Sequence, residues 1–328
     1  MGFNKTNYKR IREEYNSKYR RAEEDALARR AEVEGVVDGL RDINAMISSV
    51  GLELMGVAIG AGTDVEAKIA KIRKKNEELL AMRAALLAAH GYPEDYLEIK
   101  YECAKCGDTG FVDCRMCDCM KRDLVAAGFA SSGLGGAIDK QTFENFSLDY
   151  YRQNAQNHAM MQANLAEIKK YAEEFSTSGA GAGNLLLIGG TGLGKTHLSS
   201  ALARRVIERG YDVKYVTAMD MISDFEAKRF GNSISSYESD DTANYYDCDL
   251  LIIDDLGTEM TNQFTVSCLY NIINVRINSS KATVISTNLS QSDLRQRYWD
   301  RITSRLFGEY RPLLFVGTDV RAQKLKKK

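Results

Sequence analysis

The chain has 328 residues, 44% hydrophobic and 27% charged, which is ordinary usage for a packed protein and enough length for about two domains. Its 44 Lys and Arg against 45 Asp and Glu leave a formal net charge of -1, which excludes a uniformly basic nucleic-acid coat. No stretch approaches the ~18 apolar residues of a membrane span, and the polar start Met1–Thr6 lacks the apolar core of a signal peptide. A reduced, cytoplasmic setting without membrane contact is the resulting expectation. The loose myristoylation pattern at Gly2 is read as coincidence, because a charged helical stretch follows at once.

From about residue 5 to 58, apolar or small residues recur in steps of three and four, through Tyr8, Ile11, Tyr15, Val33, Leu40, Ile47 and Leu54. The spacing predicts one long helix. A Gly60-Ala61-Gly62 break and a Thr63–Glu66 capping box then start a second helix, striped through Val65, Ile69, Ile72, Leu79, Met82 and Leu86. Its end falls at His90-Gly91, with Pro93 just beyond. Residues 1–95 are therefore expected to form an antiparallel helical hairpin, suited to structural packing and to docking a partner.

Seven cysteines without an export signal point to metal rather than disulfides, and five of them fall between Cys103 and Cys119. Cys103, Cys106, Cys114 and Cys117 form C-x2-C-x7-C-x2-C, with Cys119 close behind. Thiolates two residues apart turn onto one tetrahedral ion, and four of them close a structural zinc site. Five cysteines compete for four places, so the second pair is either Cys114/Cys117 or Cys117/Cys119. This segment, 96–130, is expected to end in a short helix near Lys121–Phe129. A glycine- and serine-rich stretch at 131–136 reads as an interdomain linker, drawn as 131–140.

Beyond it, strand candidates at Leu185–Ile188, Val213–Val216, Leu250–Asp254, Thr283–Ser286 and Leu313–Val316 alternate with helical stretches. Short continuous apolar runs imply strands buried on both faces, hence an α/β fold with a parallel sheet covered by helices over 141–328. The first strand runs into Gly189, Gly190, Thr191, Gly192, Leu193, Gly194, Lys195 and Thr196, which match G-x4-G-K-[ST]. A chance match in a chain this long is on the order of one in a hundred at ordinary glycine usage. Glycines let successive backbone N–H groups turn toward phosphate, and the following helix adds its positive end. ATP and magnesium are the expected ligands. Lys195 is placed for the β- and γ-phosphates, and Thr196 for magnesium. The run Leu250–Asp255 ends in two carboxylates, with Asp254 expected to hold magnesium and Asp255 to polarise the attacking water. Asn288, after the next strand, offers a polar side chain to the γ-phosphate or the water. His197 is expected to face the helix surroundings.

These motifs resemble the AAA+ ATPases, and within them the bacterial replicative helicase loaders of the DnaC and DnaI type and their transposition relatives, the IstB-like proteins. The carrying residues are 189–196, Leu250–Glu259, Ser286-Thr287-Asn288, Asp300–Leu306, Gly317–Arg321 and the lead-in Thr142–Phe146, covering about 140 to 322. The resemblance implies a sensor role for Asn288, a finger acting in trans for Arg305, and a sensor-2-like contact for Arg321. It also implies a homo-oligomer joined through the ATPase domain. Cys103 to Phe111, followed by Cys117 to Lys121, is similar to the zinc segment of many Gram-positive loaders. That similarity favours Cys103, Cys106, Cys117 and Cys119, leaving Cys114 as the extra thiol. The long hairpin departs from compact loaders, and Asp255 stands where many AAA+ proteins carry glutamate. The implied function is a slow ATPase that delivers a replicative helicase to single-stranded DNA. The alternatives are an IstB-like transposition helper and a nucleotide-binding adaptor with negligible turnover.

Overall fold

The computed structural model describes residues 2–59, 65–137, 140–177, 182–230 and 241–326. The glycine break at 60–62, the Thr63 cap and the last two lysines lie outside the described residues. The chain divides into two compact units, Arg12–Cys119 and Met1–Ile11 with Met120–Lys328, rather than at the expected cuts near 95 and 130.

In the smaller unit the expected single helix over 5–58 is two, α1 (Lys5–Glu34) and α2 (Leu40–Ile59). Gly35 and Gly39 flank the break, and Gly39 takes a left-handed φ of 83° that ends helical pairing without steric cost. The corner buries Val33, Val37 and Leu40 against Leu87 of α3 (Val65–Ala89). α2 and α3 are the hairpin: Leu40 meets Leu87 near one end, and Lys75 pairs with Glu53 at 3.4 Å nearer the other. Arg29 donates to the carbonyls of Tyr96 and Glu98 at 3.0 Å each, holding the segment after α3 on α1. A two-residue ribbon follows, β1 (Phe111–Val112) paired antiparallel with β2 (Arg115–Met116), and then α4 (Asp118–Ser131).

The larger unit is a three-layer α/β domain. After α5 (Ala155–Glu174) come β3 (Asn184–Ile188), α6 (Lys195–Glu208), β4 (Val213–Thr217), α7 (Ala218–Phe230), α8 (Asp241–Asp247), β5 (Leu250–Leu256), α9 (Gln263–Asn278), β6 (Ala282–Thr287), α10 (Gln291–Glu309), β7 (Tyr310–Leu314) and α11 (Val320–Lys326). Among the described residues the sheet has five parallel strands in the order β4-β5-β6-β3-β7. Successive strand residues face opposite layers. Leu185, Leu187, Leu250, Ile252 and Val284 pack with Ile168, Leu198, Leu202 and Val206 of α5 and α6. Leu186, Ile188, Leu251, Ile253 and Ile285 pack with Met221, Leu269, Ile272, Leu294 and Ile302 of α7, α9 and α10.

The stretch expected as a flexible linker is packed instead. Ser132 and Leu134 are buried, Tyr215 N donates to Ser132 O at 2.7 Å, and a Cβ on Gly133 would lie 2.4 Å from Tyr215 O. Gly133 serves close approach to β4, whereas Gly135 and Gly136 have open space around them. The last strand begins three residues earlier than expected, because α10 ends directly in Tyr310 and pairing with β3 starts at once, Tyr310 opposite Asn184. Pro312 is tolerated there because β7 is an edge strand. α10 also contains Trp299 at φ 56°, ψ 171°, a kink in a backbone region that non-glycine residues rarely adopt.

One fully buried arginine fastens the far side of the sheet. Arg276 donates to the carbonyls of Tyr245, Cys248 and Ala282 at 2.9, 3.1 and 2.6 Å and to Thr283 Oγ1 at 3.0 Å. Two of those carbonyls belong to the C-terminal end of α8 and the residue just beyond it, where the helix dipole is negative and favours a cation. Replacing it by Arg276→Met strands several buried acceptors, so urea unfolding should show a loss of about 3 kcal/mol, with Arg276→Lys intermediate.

Candidate nucleotide site and cysteine centre

The loop between β3 and α6 is shaped by close backbone approach. Gly189 N donates to Thr287 O at 3.2 Å, and a Cβ there would lie 2.4 Å from Phe315 O. Gly192 and Gly194 take φ of 73° and 89°, and a Cβ on Gly194 would press into the Phe146 ring at 2.7 Å. The loop is anchored from outside by Tyr151, whose hydroxyl donates to Leu193 O at 2.9 Å, and by Val320 N, which donates to Gly192 O at 3.0 Å.

Lys195 opens α6 and is buried. Its Nζ donates to Gly189 O, Gly190 O and Asn288 Oδ1 at 2.7, 2.8 and 2.7 Å. Burial lowers its pKa from the usual lysine value, against the opposing pull of Asp255 and Asp254. Asn288 turns its other amide atom to Asp255, donating from Nδ2 to Oδ1 at 3.3 Å. One side chain therefore links the lysine to the carboxylate.

The two aspartates have different surroundings. Asp254 is buried, with Oδ1 accepting from Ser286 Oγ and Oδ2 accepting from Tyr215 OH at 2.8 Å. Asp255 follows a register shift in β5 between Ile253 and Leu256 and sits at φ 54°. A bulge of this kind re-aims a side chain, and here Asp255 reaches the cavity wall while Asp254 stays behind it. Ser286 ties the pair together, since its Oγ also accepts from Asp255 N at 2.9 Å. Burial first, and the Asp254 charge second, raise the Asp255 pKa above the ordinary aspartate value.

A cavity of about 210 Å³ opens at the N-terminus of α6, lined by the 191–196 loop and by Asp255, Asn288 and Arg321 among others. Its walls fit a magnesium nucleotide: glycines with no room for a Cβ, a helix N-terminus, a lysine and an arginine for phosphate charge, and the Thr196 hydroxyl and Asp255 carboxylate for a hard cation. Arg321 lines this cavity; Arg305 does not. Arg305 lies on α10, donating to Asn274 Oδ1 and Tyr270 OH at 3.0 Å each, with its guanidinium 4.6 Å from the Tyr270 ring centre.

Four further lining residues were not foreseen as site residues: Gln141, His197, Val320 and Lys324. His197 turns to the cavity rather than only to the helix surroundings. Its Nε2 donates to Thr142 O at 2.7 Å and its ring meets Phe146 edge-on. Burial lowers its pKa. Tyr215 and Ser286 act on Asp254 from positions that read only as strand residues.

In the smaller unit, the ligand atoms of Cys103, Cys106, Cys117 and Cys119 all lie within 4.8 Å of one another. Cys114 is exposed at φ 63° in the turn of the β1–β2 ribbon and outside the cluster. Buried Asp108 shapes the first knuckle, its carboxylate accepting from Glu102 N and Cys103 N at 2.8 Å each. Hydrogen bonds, led by the Cys106 N–H, hold the Cys103 thiol down at about 7. Four convergent sulfurs with no oxygen donor among them fit a soft, tetrahedral cation.

A glycine cradle at the mouth of this parallel sheet, closed by a lysine and faced by an acid-tipped strand that stands one strand away across β6, places the larger unit among P-loop domains of the AAA+ class. Residues 141–306 match the family described as IstB-like ATP binding protein, and the chain belongs to that family. Curated relatives named replicative helicase loader DnaC are 28% identical over 180 residues in Escherichia coli (strain K12), covering 54% of this chain and 67% of the relative. The Buchnera aphidicola (subsp. Schizaphis graminum) relative is 27% identical over 175 residues, covering 53% and 66%. The chain thus spans about two thirds of the relatives' length. A crystal structure of the DnaC helicase loader aligns at 20% identity and TM-score 0.47, covering 56% of this chain and 100% of that one. One of DnaI aligns at 16% and 0.44, covering 56% and 91%.

The raised Asp255 pKa sets a pH dependence. A carboxyl whose folded pKa exceeds its unfolded one binds more protons in the native state, so stability falls as pH rises from the ordinary aspartate value through the raised one. Asp255→Asn keeps the neutral form and tolerates the left-handed φ. Its unfolding free energy should exceed that of wild type at pH 7, by about 1 kcal/mol or less for a half-exposed group. The advantage should vanish below the ordinary aspartate pKa.

Proposed function

We propose that the chain is an ATP-hydrolysing loader for a replicative helicase, with ATP turnover as its switch. The observation that carries this reading is the convergence of Lys195, Thr196, Asp255, Asn288 and Arg321 on one cavity at the N-terminus of α6. The loop amides and Lys195 hold the β- and γ-phosphates, while Thr196 and Asp254 would hold magnesium, which would supply positive charge beside the phosphates. Tyr215 and Ser286 keep the Asp254 carboxylate oriented. Asp255, with its raised pKa, takes the proton of the attacking water, and Asn288 orients that water or the γ-phosphate. Arg321 contacts the nucleotide of its own chain. Arg305, held away from the cavity on α10, acts on the nucleotide of a neighbouring copy in a homo-oligomer.

The helicase-binding role falls to the helical arm and cysteine knuckle of residues 1–130. Met46, Leu52, Met55 and Met82 on α2 and α3 are exposed, which suits an amphipathic arm laid on a partner's helices. The unit at 141–328 takes ATP and single-stranded DNA. The names of the curated relatives favour a loader, whereas the family description alone is equally compatible with a transposition helper.

The full chain should co-elute with its cognate replicative helicase on gel filtration. Lys195→Ala should weaken ATP binding by titration about 100-fold, a loss typical of a buried charge–phosphate contact. Arg305→Ala should bind ATP normally yet turn over slowly, and mixing the two variants should restore part of the activity. Capture of a transposase and duplex DNA in place of the helicase would sink the loader reading, and no recovery in the mixture would place Arg305 outside the trans role.

For the four cysteines we propose zinc, bound for structure alone. Protein purified without a histidine tag should carry about one zinc per chain by elemental analysis. Cys106→Ser should abolish it and Cys114→Ser should not, and a chelated protein that unfolds like the metal-bound one would overturn the structural role.

A further inference from the structure

Beyond the groups that suit phosphate, the cavity wall is completed by Gln141, His197, Val320 and Lys324, which are left to meet the base. Gln141 carries an anomaly there. Its Oε1 is buried and has no hydrogen-bond partner among the described residues. A buried polar atom left unpaired costs stability, and natural structures leave few of them without a purpose. The backbone beside it is fixed: His197 donates from Nε2 to Thr142 O at 2.7 Å, and Phe146 braces the imidazole with ring centres 5.3 Å apart. The amide of Gln141 is thus preplaced in the wall of a nucleotide cavity, with its acceptor uncommitted.

We infer that Gln141 is a specificity-determining residue that reads the base, its Oε1 accepting a hydrogen bond from the exocyclic amine of adenine. A carboxamide matches the adenine edge, which offers an N6 amine as donor beside N7 as acceptor. Guanine presents O6 and N7, both acceptors, so it can pair with this side chain only after the carboxamide turns over to offer Nε2 in place of Oε1. The site therefore selects adenine over guanine through a side chain outside the phosphate loop. This inference rests on the reading of the cavity as an ATP site and adds which side chain reads the base.

The test compares three ligands on the full-length protein with magnesium: ATP, GTP, and purine riboside triphosphate, which is ATP lacking the 6-amino group. Wild type should bind ATP about tenfold more tightly than either competitor, the effect of one hydrogen bond to an otherwise unpaired buried acceptor. In Gln141→Leu the ratio of ATP to the deaminated analogue should fall to about one, with ATP affinity dropping and the analogue's not. That ratio is internal to each protein, so a general folding defect cancels from it. Gln141→Glu retains an acceptor oxygen and should keep a preference for ATP over the analogue. Equal binding of ATP and the analogue by wild type would overturn the inference and leave the nucleotide site standing. A Gln141→Leu protein with the wild-type ratio would assign base reading to other groups. Failure of every triphosphate to bind wild type would remove the nucleotide site itself, and this inference with it.

Discussion

Backbone contact at Gly189 is the constraint on which the site depends. The C-terminal ends of β3, β6 and β7 meet there, with Gly189 N on Thr287 O, Phe315 N on Ile188 O at 2.7 Å, and no room for a Cβ. That junction aims the loop's carbonyls inward, where two of them take Lys195. It also sets Asn288, one residue past Thr287, within reach of both Lys195 and Asp255. A substituted Gly189 would have to separate strands rather than shift a side chain, and lysine, asparagine and carboxylate would lose their common origin.

The carboxylate pair shows how neighbouring identical residues acquire different roles. Two adjacent residues in a regular strand face opposite sides, yet only one of these reaches the cavity. The register shift and left-handed φ at Asp255 turn it outward, at a cost of about 1–3 kcal/mol for a non-glycine residue in a sparsely populated region. Ser286 offsets part of that cost, because its hydroxyl serves Asp254 Oδ1 and Asp255 N at once. Asp254 is then locked by two hydroxyls, while Asp255 keeps solvent contact and a raised pKa.

Legibility in the sequence tracked how local each cause was. The apolar runs at 185–188 and 250–253 and the glycine loop between strand and helix are local patterns, and each lies where its pattern placed it. The helix break at Gly35–Gly39 was hidden because Val33 and Leu40 keep helical spacing across it while packing into a corner. The stretch at 131–136 carries linker composition, and only the approach to Tyr215 O reveals why residue 133 is a glycine. The start of β7 was missed because Tyr310 and Arg311 read as a helix end, whereas pairing with β3 is nonlocal. Five cysteines left the metal set open by spacing alone, and the turn that carries Cys114 outward separates it from the other four. Gln141 had no signal at all, since one glutamine in a loop is defined only by what surrounds it.

The position of Arg305 follows from the same strand that carries the carboxylates. Beyond β5, Gly257 N donates to Glu259 Oε2 at 2.9 Å, and the other oxygen of this buried glutamate takes the hydroxyl of Tyr298. Arg297 closes on the Glu259 carbonyl from the same turn of α10. One residue later Trp299 kinks the helix, so the segment bearing Arg305 leaves in a direction fixed by the Glu259 contacts. Arg305 is then clasped by Asn274 and Tyr270 of α9, which limits its reach although it is a long side chain. A guanidinium held by a ring and three polar partners, the third being the Arg301 carbonyl at 3.2 Å, is preorganised and has less conformational entropy left to lose than a free surface arginine.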